Sequence, residues 1–263
     1  MQDEPSAPNW GPHYKGIGAV ADVSNLITDQ GSNLELRMLE AVRDWTLMLV
    51  TGDPGTGKSF ATGRAVERAL STYPKLQPVW LEMAGSTRGR ALAQDLIPQI
   101  TGSYARPGAT LRDLRQELTI DLAQEHRVIV VDEAQLVTLE ALQLLRWLHD
   151  RTDARFALVI VGTEKLEHRL PPEISSRVQS HVRFGRITDA QAPGLLAAYH
   201  PIFDGADPAM ISRINRLEAR GEIRWWAKFL VRGHRYVARS GETILTERVA
   251  DMICVDLRKG SRK

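Results

Sequence analysis

The stretch that most limits what this chain can fold into is LVTGDPGTGKSFAT, Leu49 to Thr62. Gly52 to Ser59 fits the pattern G-x-x-x-x-G-K-[ST]. Gly52, Gly55 and Gly57 concentrate backbone freedom beside a single lysine. The run before it, TLMLVTG, is short and apolar and reads as a buried strand. The segment after it, KSFATGRAVERALS, reads as a helix. A strand, a glycine-rich loop and a helix start in that order turn backbone N–H groups inward around an anion, and the helix end adds partial positive charge. The expected ligand is ATP. Gly52, Asp53, Pro54, Gly55, Thr56, Gly57, Lys58, Ser59 and Phe60 form the expected nucleotide-binding set. Within it Lys58 reaches the β- and γ-phosphates as a point charge, and Ser59 offers its hydroxyl to Mg²⁺.

A second motif supports the first. VIVVDEAQ is an apolar strand ending in two carboxylates, and Asp132 lies 74 residues after Lys58. Open α/β sheets bind ligands at the carboxyl ends of their strands. Asp132 fits the group that holds Mg²⁺ or its water, and Glu133 the group that polarises an attacking water.

The rest of the chain alternates in the same way. QPVWLEMAG, RVIVVDEA and RFALVIVGT read as further strands, and HVRFGRI as a short fifth. Helices read between them, and ALAQDLIPQI is expected to break or end near Pro98. Continuous apolar strands separated by helices imply a parallel sheet covered on both faces. After Ile187 only helical patterns follow. The expected fold is α/β: a P-loop NTPase three-layer αβα domain with a parallel five-stranded sheet over residues 17–187, then a small helical lid with a basic tail over 188–263. Residues 1–16 read as an N-terminal arm.

Three more positions fall in order along the chain. Thr163 ends the fourth strand, where it can sense a γ-phosphate. Arg177, in ISSRVQSHVRF, precedes the fifth strand and can reach the nucleotide of a neighbouring copy. Arg224, in GEIRWW, begins a C-terminal helix that could swing it onto the phosphates. Each also fits an ordinary surface or ion-paired residue.

Together these residues resemble a AAA+ ATPase, over roughly Val23 to Asp256. Within that superfamily the chain resembles the transposition ATPases, the group containing Mu B, TnsC and TniB. VVDEAQLVTLEALQLLRWLHD, VIVGTEKLEHRL and SSRVQSHVRFGRI carry this resemblance. It implies ATP-dependent oligomerisation on duplex DNA as a filament or ring, selection of insertion sites, and recruitment or stimulation of a transposase. Thr163 stands where many AAA+ enzymes have asparagine, which implies slow or partner-stimulated hydrolysis. Nothing in the sequence reads as the N-terminal helix-turn-helix domain that Mu B carries.

The loop MAGSTRGRALA bears on what the ATP serves. It lacks the aromatic grip expected of a protein unfoldase and offers Thr87, Arg88 and Arg90, groups that bond well to phosphate oxygens. In the resembling ATPases this region faces the filament channel, so these residues are candidate DNA contacts. GSYARPGATLRD adds Arg106 and Thr110. The alternative is a helix start with exposed arginines. Charge is ambiguous too: residues 186–263 hold 14 Lys and Arg against 9 Asp and Glu, the remainder 20 against 23. That asymmetry fits either a polyanion or a solvated helical surface. Trp225 and Trp226 are expected to pack in the lid rather than stack on bases. A helicase loader and a non-DNA motor or signalling ATPase remain open as other readings. Cys254 is the only cysteine, which excludes an internal disulfide and a cysteine zinc site. No apolar run approaches a membrane span and the N-terminus does not read as a leader, so no membrane partner and a cytoplasmic location are expected.

Overall fold

The computed structural model describes residues 28–83, 85–151, 153–240 and 245–260. The expected arm, residues 1–16, lies outside them, as do residues 261–263 of the basic tail. The described chain forms two compact units. The first comprises residues 30–52 and 58–183, and the second residues 28–29, 53–57 and 184 onward.

The first unit is built on strands β1 (Leu47–Gly52), β2 (Gln77–Glu82), β3 (Arg127–Asp132), β4 (Phe156–Val161) and β5 (Val178–Phe184). Their order is β2-β3-β4-β1-β5, a five-stranded parallel sheet. Every residue of β1, β3 and β4 is buried, as continuous apolar sequence requires of central strands. β2 and β5 are the edges and are partly exposed. That exposure weakens the apolar signal of β5, which starts three residues earlier than the sequence pattern marks.

Among the described residues seven α-helices belong to this unit: α1 (Asp29–Asp44), α2 (Lys58–Thr72), α3 (Gly89–Thr101), α4 (Leu111–Leu122), α5 (Leu139–His149), α6 (Glu164–Arg169) and α7 (Pro172–Ser175). Helix α1 buries Leu34, Met38, Ala41 and Val42, one face of a 3.6-residue period. Helix α3 corrects an expectation, because it runs through Pro98 instead of ending there. The ring removes one backbone bond, but Leu96, Ile97 and Ile100 on either side are buried and hold the turn. The helix stops at Gly102, whose φ of 72° lets its N–H return to the Pro98 carbonyl at 3.1 Å.

The second unit contains α8 (Ala192–Tyr199), α9 (Pro208–Ile214), α10 (Ile223–Ser240) and α11 (Glu247–Gly260). Trp226 is fully buried, with Phe229 and Phe203 beside it, and Trp225 stacks on Phe229 at 5.4 Å. The tryptophans therefore pack as core. A polar knot sits inside this core. Asn215 accepts a hydrogen bond from Trp226 Nε1 and donates to the Ile187 carbonyl and to Asp189, each at 3.0 Å. Among the described residues, no helix is long and apolar enough to cross a membrane.

Candidate functional site

In the first unit β3, β4 and β1 are adjacent and parallel, so their carboxyl ends lie along one edge. They deliver Gly52, Asp132 and Gly162–Thr163 to that edge, where an open α/β sheet takes its ligand. Lys58 begins α2 and its Nζ donates to the Gly52 carbonyl at 2.9 Å, folding the ammonium back toward the end of β1. Thr51, buried beside it, hydrogen-bonds His181 Nε2 of β5 at 2.8 Å and ties the loop's root to the edge strand.

Asp132 is buried, at 3% exposure. Burial pushes its carboxyl above the ordinary range, while a hydrogen bond from the Ser59 hydroxyl works the other way. The Glu133 backbone N–H also donates to Asp132 Oδ1 at 2.8 Å. A desolvated carboxylate beside a hydroxyl is a strained arrangement for an isolated anion and a favourable one for a hard divalent cation. The pair therefore fits Mg²⁺. Two protein oxygens suit Mg²⁺ better than a full protein cage, since the ion keeps waters and phosphate oxygens for its other positions.

Glu133 adopts a left-handed backbone, φ 54°, at the turn leaving β3. Its carboxylate accepts a hydrogen bond from Gln135 Nε2. Gln135 Oε1 in turn accepts the Thr163 N–H at 3.2 Å. The structure thus links Glu133 and Thr163 through one amide. The Thr163 hydroxyl is buried and makes no hydrogen bond in the described structure. Sequence reasoning missed Gln135, although it stands in the same DEAQ run as the two acids.

The middle of the glycine-rich loop, Asp53–Gly57, belongs to the second unit. Gly55 and Gly57 take φ of 82° and 88°, values that L side chains rarely adopt. Thr56 is buried and donates to the Asp53 carbonyl at 2.8 Å, and Pro54 is exposed. The Gly55 carbonyl accepts the Arg224 N–H at 3.0 Å. Gly57 faces Ile223, whose Cδ1 would lie 3.2 Å from any added Cβ. Arg186, also unforeseen from sequence, joins Asp53 at 2.8 Å and Glu222 at 3.3 Å. The Arg224 side chain is exposed, at the second residue of α10. Phe60 is half-buried in the first turn of α2.

Arg177 lies immediately before β5 and is half-exposed. Its Nε pairs with Asp150 at 3.0 Å, and Asp150 also holds Arg146 at 2.8 Å. Arg88 and Arg90 are exposed at the start of α3, with Arg88 as its N-cap. Thr87 is buried: its N–H donates to the Leu136 carbonyl at 3.1 Å and its carbonyl accepts from Thr138 at 2.9 Å. The Arg88 loop is therefore bonded, main chain to main chain, to the segment that follows Gln135. Arg106 is exposed. Thr110 caps α4, sharing a reciprocal capping box with Asp113.

The comparisons with known proteins bear on the family and the fold. The profile of a family described as "AAA domain" matches residues 26–170, more than half of the chain. A comparison of the sequence with curated proteins gave no significant match. Among solved structures, the fold is similar to Cdc6p from Pyrobaculum aerophilum, with TM-score 0.68 and 18% identity over 88% of this chain and 68% of that one. It is similar to the Aeropyrum pernix ORC1 protein in complex with DNA, with TM-score 0.66 and 17% identity over 89% and 66%. The Thermotoga maritima RuvB Holliday junction branch migration motor gives TM-score 0.54 and 12% identity over 88% and 68%.

Proposed function

The chain belongs to the AAA domain family, and from that premise we propose that it is an ATP-dependent DNA-binding ATPase that assembles on duplex DNA and directs a transposase to its target. The family implies a nucleotide-binding, nucleotide-hydrolysing domain. The observation that carries the ATPase part of the reading is the Lys58, Ser59, Asp132 and Glu133 group at the carboxyl edge of the sheet; the transposase part rests on the sequence resemblance.

In this reading the loop from Gly52 to Ser59 holds the phosphates, and Lys58 leaves the Gly52 carbonyl for the β- and γ-oxygens. Ser59 and Asp132 would hold Mg²⁺, which would supply charge neutralisation to the phosphate oxygens. Glu133 orients a water and accepts its proton as the water oxygen attacks the γ-phosphorus. The bond from that phosphorus to the bridging oxygen breaks, and ADP leaves with the oxygen. Arg177 stabilises transition-state charge on the nucleotide of a neighbouring copy, exchanging its pairing with Asp150 for the phosphate. A head-to-tail contact of this kind gives a ring if the rotation closes and a helical filament if it does not. Arg88 and Arg90 meet the DNA backbone, with Arg106 further along, and such contacts tolerate sequence and weaken with salt. The main-chain bonds joining the Arg88 loop to Leu136 and Thr138 support a link between DNA contact and hydrolysis.

A second reading, an ATPase of replication initiation that loads a helicase, is favoured by the fold's similarity to Cdc6p and to ORC1 in complex with DNA. Electron microscopy of the protein with duplex DNA in ATP, a slowly hydrolysed analogue and ADP tests the proposal. Assemblies on duplex in the triphosphate states, absent in ADP and in Lys58→Ala and Arg177→Ala, are expected. Preference for single strands, with a helicase as captured partner, would favour the second reading. A folded protein that ignores duplex in ATP and Mg²⁺ would overturn the first reading, and one that ignores single strands as well would overturn both.

A further inference from the structure

A carboxylate that is to take a proton from water must be held with one oxygen turned to that water. The backbone of Glu133 is already fixed. Its N–H bonds Asp132 Oδ1 at 2.8 Å, its carbonyl accepts from Leu136 at 2.9 Å, and its φ is 54°. What remains free is side-chain rotation, and Gln135 removes that freedom by donating from Nε2 to Glu133 Oε2.

The direction of the Gln135 amide is set by its other partners. The Thr163 N–H can only face an oxygen, so Oε1 turns to β4 and Nε2 turns to the carboxylate. Oε1 occupies the space that a side chain at residue 162 would fill: a Cβ on Gly162 would sit 2.9 Å from it and 2.7 Å from Leu166 Cδ2. The Gln135 carbonyl accepts from Arg169 Nη1 at 2.6 Å, which anchors the turn itself. Two strands and α6 thus converge on one glutamine. The amide can donate to the carboxylate but cannot itself act as a base, so its contribution is orientation.

We infer that Gln135 is a positioning residue for ATP hydrolysis: it fixes the Glu133 carboxylate against the end of β4 and leaves Glu133 Oε1 to receive the proton of the attacking water. This inference rests on the ATPase reading above.

The test is ATP turnover by the full chain in Mg²⁺, with and without duplex DNA, for the wild type, Gln135→Ala, Gln135→Glu, Glu133→Gln and the Glu133→Gln/Gln135→Ala double variant. Gln135→Ala is expected to lower kcat at least about tenfold, a fraction of what a proton-transfer group contributes, with KM for ATP changed less than about twofold. Gln135→Glu is the decisive variant. It keeps length and an acceptor for the Thr163 N–H but presents an acceptor to Glu133, so it should lose as much turnover as alanine while melting near the wild type. In the Glu133→Gln background, Gln135→Ala should cost nothing more. Near-wild-type turnover in Gln135→Glu, or losses that simply add, would overturn the inference alone. A wild type that binds ATP yet never turns it over would overturn the ATPase reading, and the inference with it.

Discussion

Replacing Gly162 by alanine perturbs the candidate site without touching any group that meets nucleotide. The new Cβ would lie 2.7 Å from Leu166 Cδ2 and 2.9 Å from Gln135 Oε1. Leu166 is 1% exposed and packed in the core of the first unit, so it has little room to yield. The glutamine amide must move, and its bond from the Thr163 N–H, already 3.2 Å, is the one that breaks. Overpacking of this kind costs about 1–3 kcal/mol. Alanine recovers roughly 0.4–1 kcal/mol by restricting the unfolded chain. The net loss is then between about 0 and about 2.6 kcal/mol, a melting shift of at most roughly 10 °C for a chain this size. Turnover should fall with it, by about the same factor as in Gln135→Ala, while ATP affinity holds within about twofold. Urea unfolding at constant m-value measures the first quantity, and single-turnover hydrolysis the second. Wild-type turnover in a Gly162→Ala protein destabilised as described would refute the idea that the amide's place governs Glu133.

Three further outcomes follow from the structure. Asp132 has its folded pKa raised by burial, so it binds protons more readily folded than unfolded; its penalty is absent in acid and grows as pH rises from the ordinary carboxylate range through the folded value. Asp132→Asn should therefore be more stable than the wild type without nucleotide at pH 7, with the gain vanishing toward pH 4, and should lose the stabilisation by Mg²⁺ and ATP; equal apo melting curves at pH 7 would count against it. Asn215→Ala orphans the buried Trp226 Nε1 and the Ile187 carbonyl, each costing about 1–3 kcal/mol; a change below about 1 kcal/mol in urea unfolding would show that the knot does not hold the second unit. The Arg88→Ala/Arg90→Ala double variant should weaken duplex binding at least about tenfold and flatten its salt dependence by about two charges, with ATP affinity retained; an unaltered salt slope in a DNA-binding titration would remove these arginines from the interface.

Much of this molecule was legible from residue order. The glycine loop, the strand-end acids Asp132 and Glu133, and the alternation of apolar strands with helices are local patterns, because phosphate cradles and central strands demand particular residues at fixed spacing. Trp225 and Trp226 read as core and pack as core. What the chain order could not give was partnership. Thr110 looked like a phosphate contact and caps a helix; Thr87 looked like another and is buried in a main-chain bridge. Pro98 marked a helix end that neighbouring core contacts overrode. The sheet order that sets β4 between β3 and β1, and the single amide that joins Glu133 to Thr163, depend on residues far apart in sequence meeting in space. Short-range chemistry selects which groups are present, but a hydrogen bond acts over about 3 Å, so only the packed fold decides which of them meet.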